Sequence, residues 1–244
     1  MSDPTPHVAV EAVLFDFSHT LFRPETGADW VRHAGAMAGA ELDADETARI
    51  AAEIERLLAA PERAESQVGR DRSAEAHRAA IGSVLEAVET TVEGLSEALY
   101  ERLIAPDAWA PYVDSEPVLR ALKAGGRKVG VVSNIGWDIR ESFRHHGLDA
   151  FIDSYTLSFE HGVEKPDPEL FTAACRALGV DAAAAVMVGD NPVADGGAVR
   201  VGIAAYVLPG AASNGRAATW GADSGSDTRG LERVLNLVGV RPSR

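Results

Sequence analysis

Asp16 follows the apolar run Val13-Leu14-Phe15 and precedes Phe17-Ser18-His19-Thr20-Leu21-Phe22. A carboxylate at the mouth of a buried strand, ahead of a hydroxyl-rich turn, is how a protein presents a nucleophile or a metal ligand. Three later segments carry polar groups of matching kind. They are Ser133-Asn134, Lys165 in the loop Val163-Glu164-Lys165-Pro166-Asp167-Pro168, and Asp190 with Asp195 after Val186-Met187-Val188-Gly189. Each has an ordinary reading on its own: Ser133 a helix cap, Lys165 a surface lysine, Gly189-Asp190 a turn. Their order along the chain, each near the end of an expected strand, is what joins them.

The elements that would position them are legible as pattern. From about residue 114 helix and strand alternate, which predicts a parallel sheet with helices on both faces and ligands bound beyond the carboxyl ends of the strands. Helix is expected over 118–124, stopped by Gly125-Gly126, then a buried strand over 128–132 and a helix over 137–146 closed by Gly147. A strand is expected over 151–159, a helix over 168–178, a strand over 184–188, a helix over 193–201 and a strand over 203–208. The stretch from Pro209 to Gly230, rich in Ala, Gly, Ser and Asp, reads as a long surface connector, and a last helix over 231–238 packs back on the sheet.

Residues 24–112 differ in character. Trp30, Val31, Ala34, Met37 and Ala38 have helical spacing, as do Ile50, Ile54, Leu57 and Leu58, and Ile81, Val84, Leu85 and Val88, with Pro61 and Gly94 as punctuation. The block holds 18 acidic residues against 8 arginines, most of the acidity of a chain whose formal net charge is −14. It reads as a solvated helical insertion. The domains expected are therefore an α/β core of residues 1–23 and 113–244 and a helical domain of residues 24–112.

The chain is 244 residues long and 46% hydrophobic, enough for one large core or a core plus a smaller module. Its charge repels nucleic acid and acidic membranes, yet a local cluster of cations can still hold a small anion. No apolar run approaches the roughly 20 residues a membrane helix needs, and the first twelve residues lack a secretion-signal pattern, so a cytoplasmic location is expected. Cys175, the only cysteine, lies in a helical pattern and reads as a buried thiol. No apolar seam separates from the helical block by pattern, so no oligomer is inferred.

Taken together, the four segments resemble the four motifs of the haloacid dehalogenase-like hydrolase superfamily. The 24–112 block resembles its C1-type helical cap, and Lys165-Pro166-Asp167-Pro168 matches subfamily IA. The resemblance implies a Rossmann-like, doubly wound core and an aspartyl intermediate on Asp16. It implies that Thr20 fixes the turn after Asp16, that Ser133, next to Asn134, hydrogen-bonds the transferring group, and that Lys165 holds the Asp16 carboxylate and the incoming anion together. Mg²⁺ would be held by Asp16, Asp190, Asp195 and the backbone carbonyl of Ser18. The substrate class implied is a small phosphorylated metabolite, with no nucleic acid and no membrane as partner. The physical logic agrees. A carboxylate attacking a phosphate dianion meets roughly 4 kcal/mol of repulsion per close pair at an effective dielectric of 20, and a metal ion and a lysine offset it. Glu164 and Asp167, flanking Lys165, read as a solvated loop pair.

Ser18 is the departure, because most phosphatases of this superfamily carry a second Asp there. The metal-binding carbonyl survives the change. The general acid does not, and that function is worth on the order of 10² to 10⁴ in rate. Phosphates with good leaving groups would suffer least. Histidine is the side-chain type that ordinarily titrates near neutral pH, but His19 points differently along the turn. A phosphonate hydrolase would need a lysine in the cap, and residues 24–112 contain none. A metal-independent 2-haloacid dehalogenase fits Ser18 and Ser133-Asn134 but not the intact acidic pair Asp190 and Asp195. A low-activity binding or regulatory protein is the alternative from another class. Candidate substrate readers are Trp30, Arg32, His33, Arg70, Arg72, His77, Arg78, Trp109 and Tyr112.

Overall fold

The structure, a computed structural model, describes residues 9–209 and 227–241. At its centre is β1 (Ala12–Phe15), four apolar residues with no exposed surface. Val13 and Phe15 face one half of the core while Ala12 and Leu14 face the other, the period-two alternation of a strand covered on both sides. After β1 the chain makes β2 (Phe22–Pro24) and then four helices, α1 (Gly27–Met37), α2 (Ala44–Leu58), α3 (Ala74–Leu85) and α4 (Leu95–Ile104). It returns through β3 (Trp109–Pro111), which pairs antiparallel with β2, Phe22 opposite Pro111 and Pro24 opposite Trp109. The two ends of the helical insertion are thereby clamped to each other.

The rest alternates as the pattern predicts: α5 (Ser115–Ala124), β4 (Lys128–Ser133), α6 (Arg140–His145), β5 (Ser154–Leu157), α7 (Ser158–His161), α8 (Pro168–Leu178), β6 (Ala185–Gly189), β7 (Ala204–Val207) and α9 (Glu232–Leu237). The five long-range strands form a parallel sheet in the order β5-β4-β1-β6-β7, a doubly wound α/β architecture. Phe15 lies level with Val131 and Val188, so Asp16 emerges where β4 and β6 also run out.

Local chemistry sets the helix starts. Thr26, Asp43 and Ser73 accept from the backbone N–H three residues on and cap α1, α2 and α3. Asp167 accepts from Glu169 N ahead of Pro168 at the first position of α8, and Gly179 ends that helix at φ 62°. One buried cluster runs without a break from Val13 and Phe15 through Phe17, Phe22 and Trp109 to Trp30, Ile50 and Leu99 of the insertion. Cys175 is buried in α8, and burial raises its thiol pKa.

Three boundaries differ from the pattern, each for a local reason. α6 begins at Arg140 rather than 137, because the Asp138 carboxylate accepts from Arg140 N and shapes a turn there. β5 covers only 154–157, since Ser158 bonds away from the sheet to Ile135 and Asp71 and α7 starts at once. Residues Asp195–Val201 form a 3₁₀ segment rather than an α-helix. Its start is pinned by the Asp195 side chain, and Gly197 lies so close to Pro166 that a Cβ would come within 2.4 Å of it. The connector expected from Pro209 to Gly230 falls mostly on 210–226, outside the described residues. Among the described residues no helix is long and apolar enough to cross a membrane.

Candidate active site

Asp16 is fixed at the end of β1 by its N–H, which donates to Val188 O of β6 at 2.9 Å. The turn behind it is tight. His19 N donates to Phe22 O at 2.7 Å, and both Leu21 N and Phe22 N donate to Phe17 O. His19 takes the left-handed conformation at φ 55°, an unusual backbone for a non-glycine residue, so its side chain is aimed by the turn. Ser18 bridges to Phe22. Thr20 is fully buried and its hydroxyl has no hydrogen-bond partner, so it occupies the turn without tying it.

Lys165 is the centre of the charge arrangement. Its ammonium lies 2.8 Å from Asp16 Oδ1 and 2.6 Å from Asp195 Oδ1, and all three side chains are buried. Carboxylate oxygens of Asp16, Asp190 and Asp195 approach within 4.8 Å of one another, a group of hard oxygen donors of the kind that holds a divalent cation. Burial alone would drive Lys165 toward its neutral form. Asp16 and Asp195 overcome it, and the ammonium is held above its ordinary pKa. Burial raises all three carboxyls, with Lys165 opposing; Asp190 is pushed up to about 6, Asp195 adding to the effect. Three carboxylates facing one ammonium leave the cluster short of positive charge, so the donor set fits a divalent cation such as Mg²⁺.

The neighbours of these groups are explained by them. A Cβ on Gly189 would stand 2.1 Å from Asp195 Oδ2, so only glycine lets that carboxylate lie against the end of β6. Asp195 Oδ2 then accepts from Asn191 N at 2.8 Å. Asn134 makes a reciprocal pair with the lysine's backbone, Nδ2 donating to Lys165 O at 2.9 Å and Oδ1 accepting from Lys165 N at 2.6 Å. Its side chain is thus spent on locking the Lys165 loop, which contains a cis Lys165–Pro166 peptide. Ser133, buried at the end of β4, sits at the same edge of the sheet.

Residues 10–201 match the family model for haloacid dehalogenase-like hydrolase. The chain belongs to the haloacid dehalogenase-like hydrolases. Within that family it is 35% identical over 118 residues to haloacid dehalogenase-like hydrolase domain-containing protein 3 of Danio rerio, covering 48% of this chain and 49% of that one. It is 40% identical over 83 residues to glyceraldehyde 3-phosphate phosphatase of Methanopyrus kandleri, 33% of this chain and 35% of the relative. The chain spans half or less of the length of these curated relatives. Among solved structures, a haloacid dehalogenase-like phosphatase from Thermococcus onnurineus superposes with a TM-score of 0.58 at 25% identity, covering 96% of this chain and 100% of that one. L-2-haloacid dehalogenase from Xanthobacter autotrophicus gives a TM-score of 0.64 at 20% identity over 94% and 98%, a likeness of fold.

The readers expected in this hydrolase's insertion separate into groups. Trp30 and Trp109 are core residues whose indoles donate to Leu99 O and Leu103 O. Tyr112 is buried beside β3. Arg32 pairs with Asp29, Arg78 with Glu97, and His33 with Glu25. His77 is buried, bonded to Tyr100 Oη at 3.0 Å, and pushed down to about 3 by burial and by Arg70. Glu164 is not the solvated side chain its sequence implied. It accepts from Asp71 N at 2.9 Å and faces Arg72 at 3.7 Å, tying the insertion to the loop that carries Lys165. Ser158 Oγ makes a parallel tie, donating to Asp71 O at 2.6 Å and accepting from Ile135 N. Neither tie had a signal in the sequence, since both depend on which loops the fold brings together.

Proposed function

We propose that this protein is a Mg²⁺-dependent phosphatase-like hydrolase of a small phosphorylated metabolite, acting through Asp16, with residues 24–112 as a cap over a core of 1–23 and 113–244. The observation that carries the reading is the Lys165 ammonium set between Asp16 and Asp195, with Asp190 completing an acidic triad. Phosphatase-named relatives such as the glyceraldehyde 3-phosphate enzyme support it.

In this reading an Asp16 oxygen attacks phosphorus, the bond to the leaving oxygen breaks, that oxygen departs as an anion and takes a proton from solvent, and an aspartyl phosphate forms. Water then attacks phosphorus and gives up a proton to solvent, the bond to Asp16 breaks, and phosphate leaves with the carboxylate restored. Lys165 favours the ionised form of Asp16 against the effect of burial and balances the incoming anion, Asn134 holds the lysine loop, and Ser133 donates to a phosphoryl oxygen. Asp16, Asp190, Asp195 and the Ser18 carbonyl would hold Mg²⁺, which supplies charge neutralisation at the phosphoryl oxygens. Ser18 cannot protonate the leaving oxygen at neutral pH, so esters of acidic alcohols and anomeric or acyl phosphates are favoured.

The test is a screen of phosphorylated metabolites and 2-haloacids with and without Mg²⁺. Mg²⁺-dependent release of phosphate is expected. Metal-independent release of halide would instead establish the dehalogenase reading that Ser18 and Ser133-Asn134 allow.

A further inference from the structure

Arg229 differs from most half-buried arginines: Arg63 and Arg127 also lack an acidic partner, but each donates to a backbone carbonyl, Ser83 O and Val238 O, whereas the Arg229 guanidinium has no hydrogen-bond partner among the described residues. Arg23 meets Asp227 at 2.9 Å, Arg70 meets Asp71 at 3.4 Å, Arg102 meets Glu25 at 2.6 Å, and Arg140 meets Glu160 at 2.8 Å. Among the described residues no carboxylate lies within ion-pair distance of the Arg229 guanidinium. Its Nε is shielded from solvent and has no hydrogen-bond partner. In a chain with 37 acidic residues, an unmatched, partly dehydrated guanidinium is a cost without a visible return.

The group is nonetheless held firmly. Its guanidinium carbon lies 5.7 Å from the centre of the Tyr112 ring. Arg229 N donates to both Asp114 oxygens at 3.1 Å, and Leu231 N to Asp114 Oδ2 at 2.8 Å. Val113 N donates to Asp227 O, and Tyr112 N donates to Leu21 O in the turn that follows Asp16. The segment 227–231 is therefore tied, through residues 112–114, to the turn that follows Asp16. Its charge reaches the acidic triad, where it opposes the rise of the Asp190 carboxyl.

We propose that Arg229 is a specificity-determining residue that receives a carboxylate carried by the substrate beside its transferring phosphate. The inference rests on the phosphatase reading and names the substrate class, a small phosphomonoester of a hydroxy acid. A guanidinium presents a planar fork that pairs with a carboxylate through two hydrogen bonds, and stacking on Tyr112 pre-organises that fork. A monoanion matches the single charge of this guanidinium, whereas a second phosphate dianion would leave a charge unbalanced next to three carboxylates.

The test compares phosphonoacetate with methylphosphonate, two unreactive phosphonates of which only the first bears a carboxylate. Binding is measured by calorimetry with Mg²⁺ in the native chain, R229A and R229K. The native chain is expected to prefer phosphonoacetate by roughly tenfold or more, R229A to lose that preference, and R229K to recover only part of it. In turnover, the kcat/KM ratio of 2-phosphoglycolate to phenyl phosphate should fall by a similar factor in R229A, mainly through KM. A preference that survives R229A, or no preference in the native chain, overturns the assignment of Arg229 alone. Failure of every phosphate ester to turn over and of both phosphonates to bind overturns the phosphatase reading, and this proposal with it.

Discussion

Replacing Asp190 by Asn should make the metal-free protein more stable at neutral pH, although it removes a proposed metal ligand. Burial, with Asp195 adding and Lys165 and Arg229 opposing, lifts the Asp190 carboxyl from 3.8 to about 6. Between those values the folded chain keeps a proton that the unfolded chain has released, so stability falls as pH rises through the window. The full cost of holding Asp190 ionised is about 3 kcal/mol above pH 7, and roughly half of it has been incurred at pH 5. Asn has the same shape and no charge, so its advantage over Asp should grow by on the order of 1 kcal/mol between pH 5 and pH 8. The assay is urea unfolding of the native chain and Asp190→Asn in EDTA across that range. Adding Mg²⁺ should raise the stability of the native chain and leave the variant nearly unmoved. A variant no more stable than the native chain at pH 8 without metal would refute the view that the triad is short of positive charge.

Other consequences follow from the same geometry. Lys165→Met leaves Asp16 and Asp195 facing each other in a buried site and should cost roughly 3–5 kcal/mol in urea unfolding at pH 7, and a loss below about 1 kcal/mol would show that the lysine is not their counter-charge. Gly189→Ala places a methyl where Asp195 Oδ2 now lies, and calorimetry should show Mg²⁺ affinity reduced by about 10–100-fold. Ser18→Asp restores a titratable group and should raise turnover of alkyl phosphates by on the order of 10² while aryl phosphates gain less. Equal gains on both would contradict the leaving-group account of Ser18.

The site was legible in the sequence to the extent that strand ends made it so. Asp16, Ser133, Asp190 and Asp195 each follow or end an apolar run, and a parallel sheet has only one edge where such positions meet. Lys165 could be placed through the order of motifs, and its contacts with Asp16 and Asp195 agree with that placement. Contacts that depend on loops meeting in space gave no signal. Asn134 is a candidate beside Ser133 from the sequence, but that its side chain is bonded to both backbone groups of Lys165 is seen only in the fold. Glu164 reads as a solvated acid until Asp71 N arrives from the insertion. Arg229 follows a stretch of small polar residues with no periodicity, so nothing in the pattern foretold that Asp114 and Tyr112 would hold it. The boundaries of α6, β5 and the 195–201 segment were misplaced where Asp138, Ser158 and Asp195 side chains compete with regular backbone bonding.

The central claim is that Asp16 carries the phosphoryl group. Acid-quenched turnover of an aryl phosphate with Mg²⁺, followed by mass spectrometry of the peptide containing Asp16, tests it directly. The native chain should show the added mass of one phosphoryl group on that residue, and Asp16→Asn should show neither the adduct nor turnover. Undiminished turnover by Asp16→Asn, or a phosphoryl adduct on any other side chain, would contradict the account.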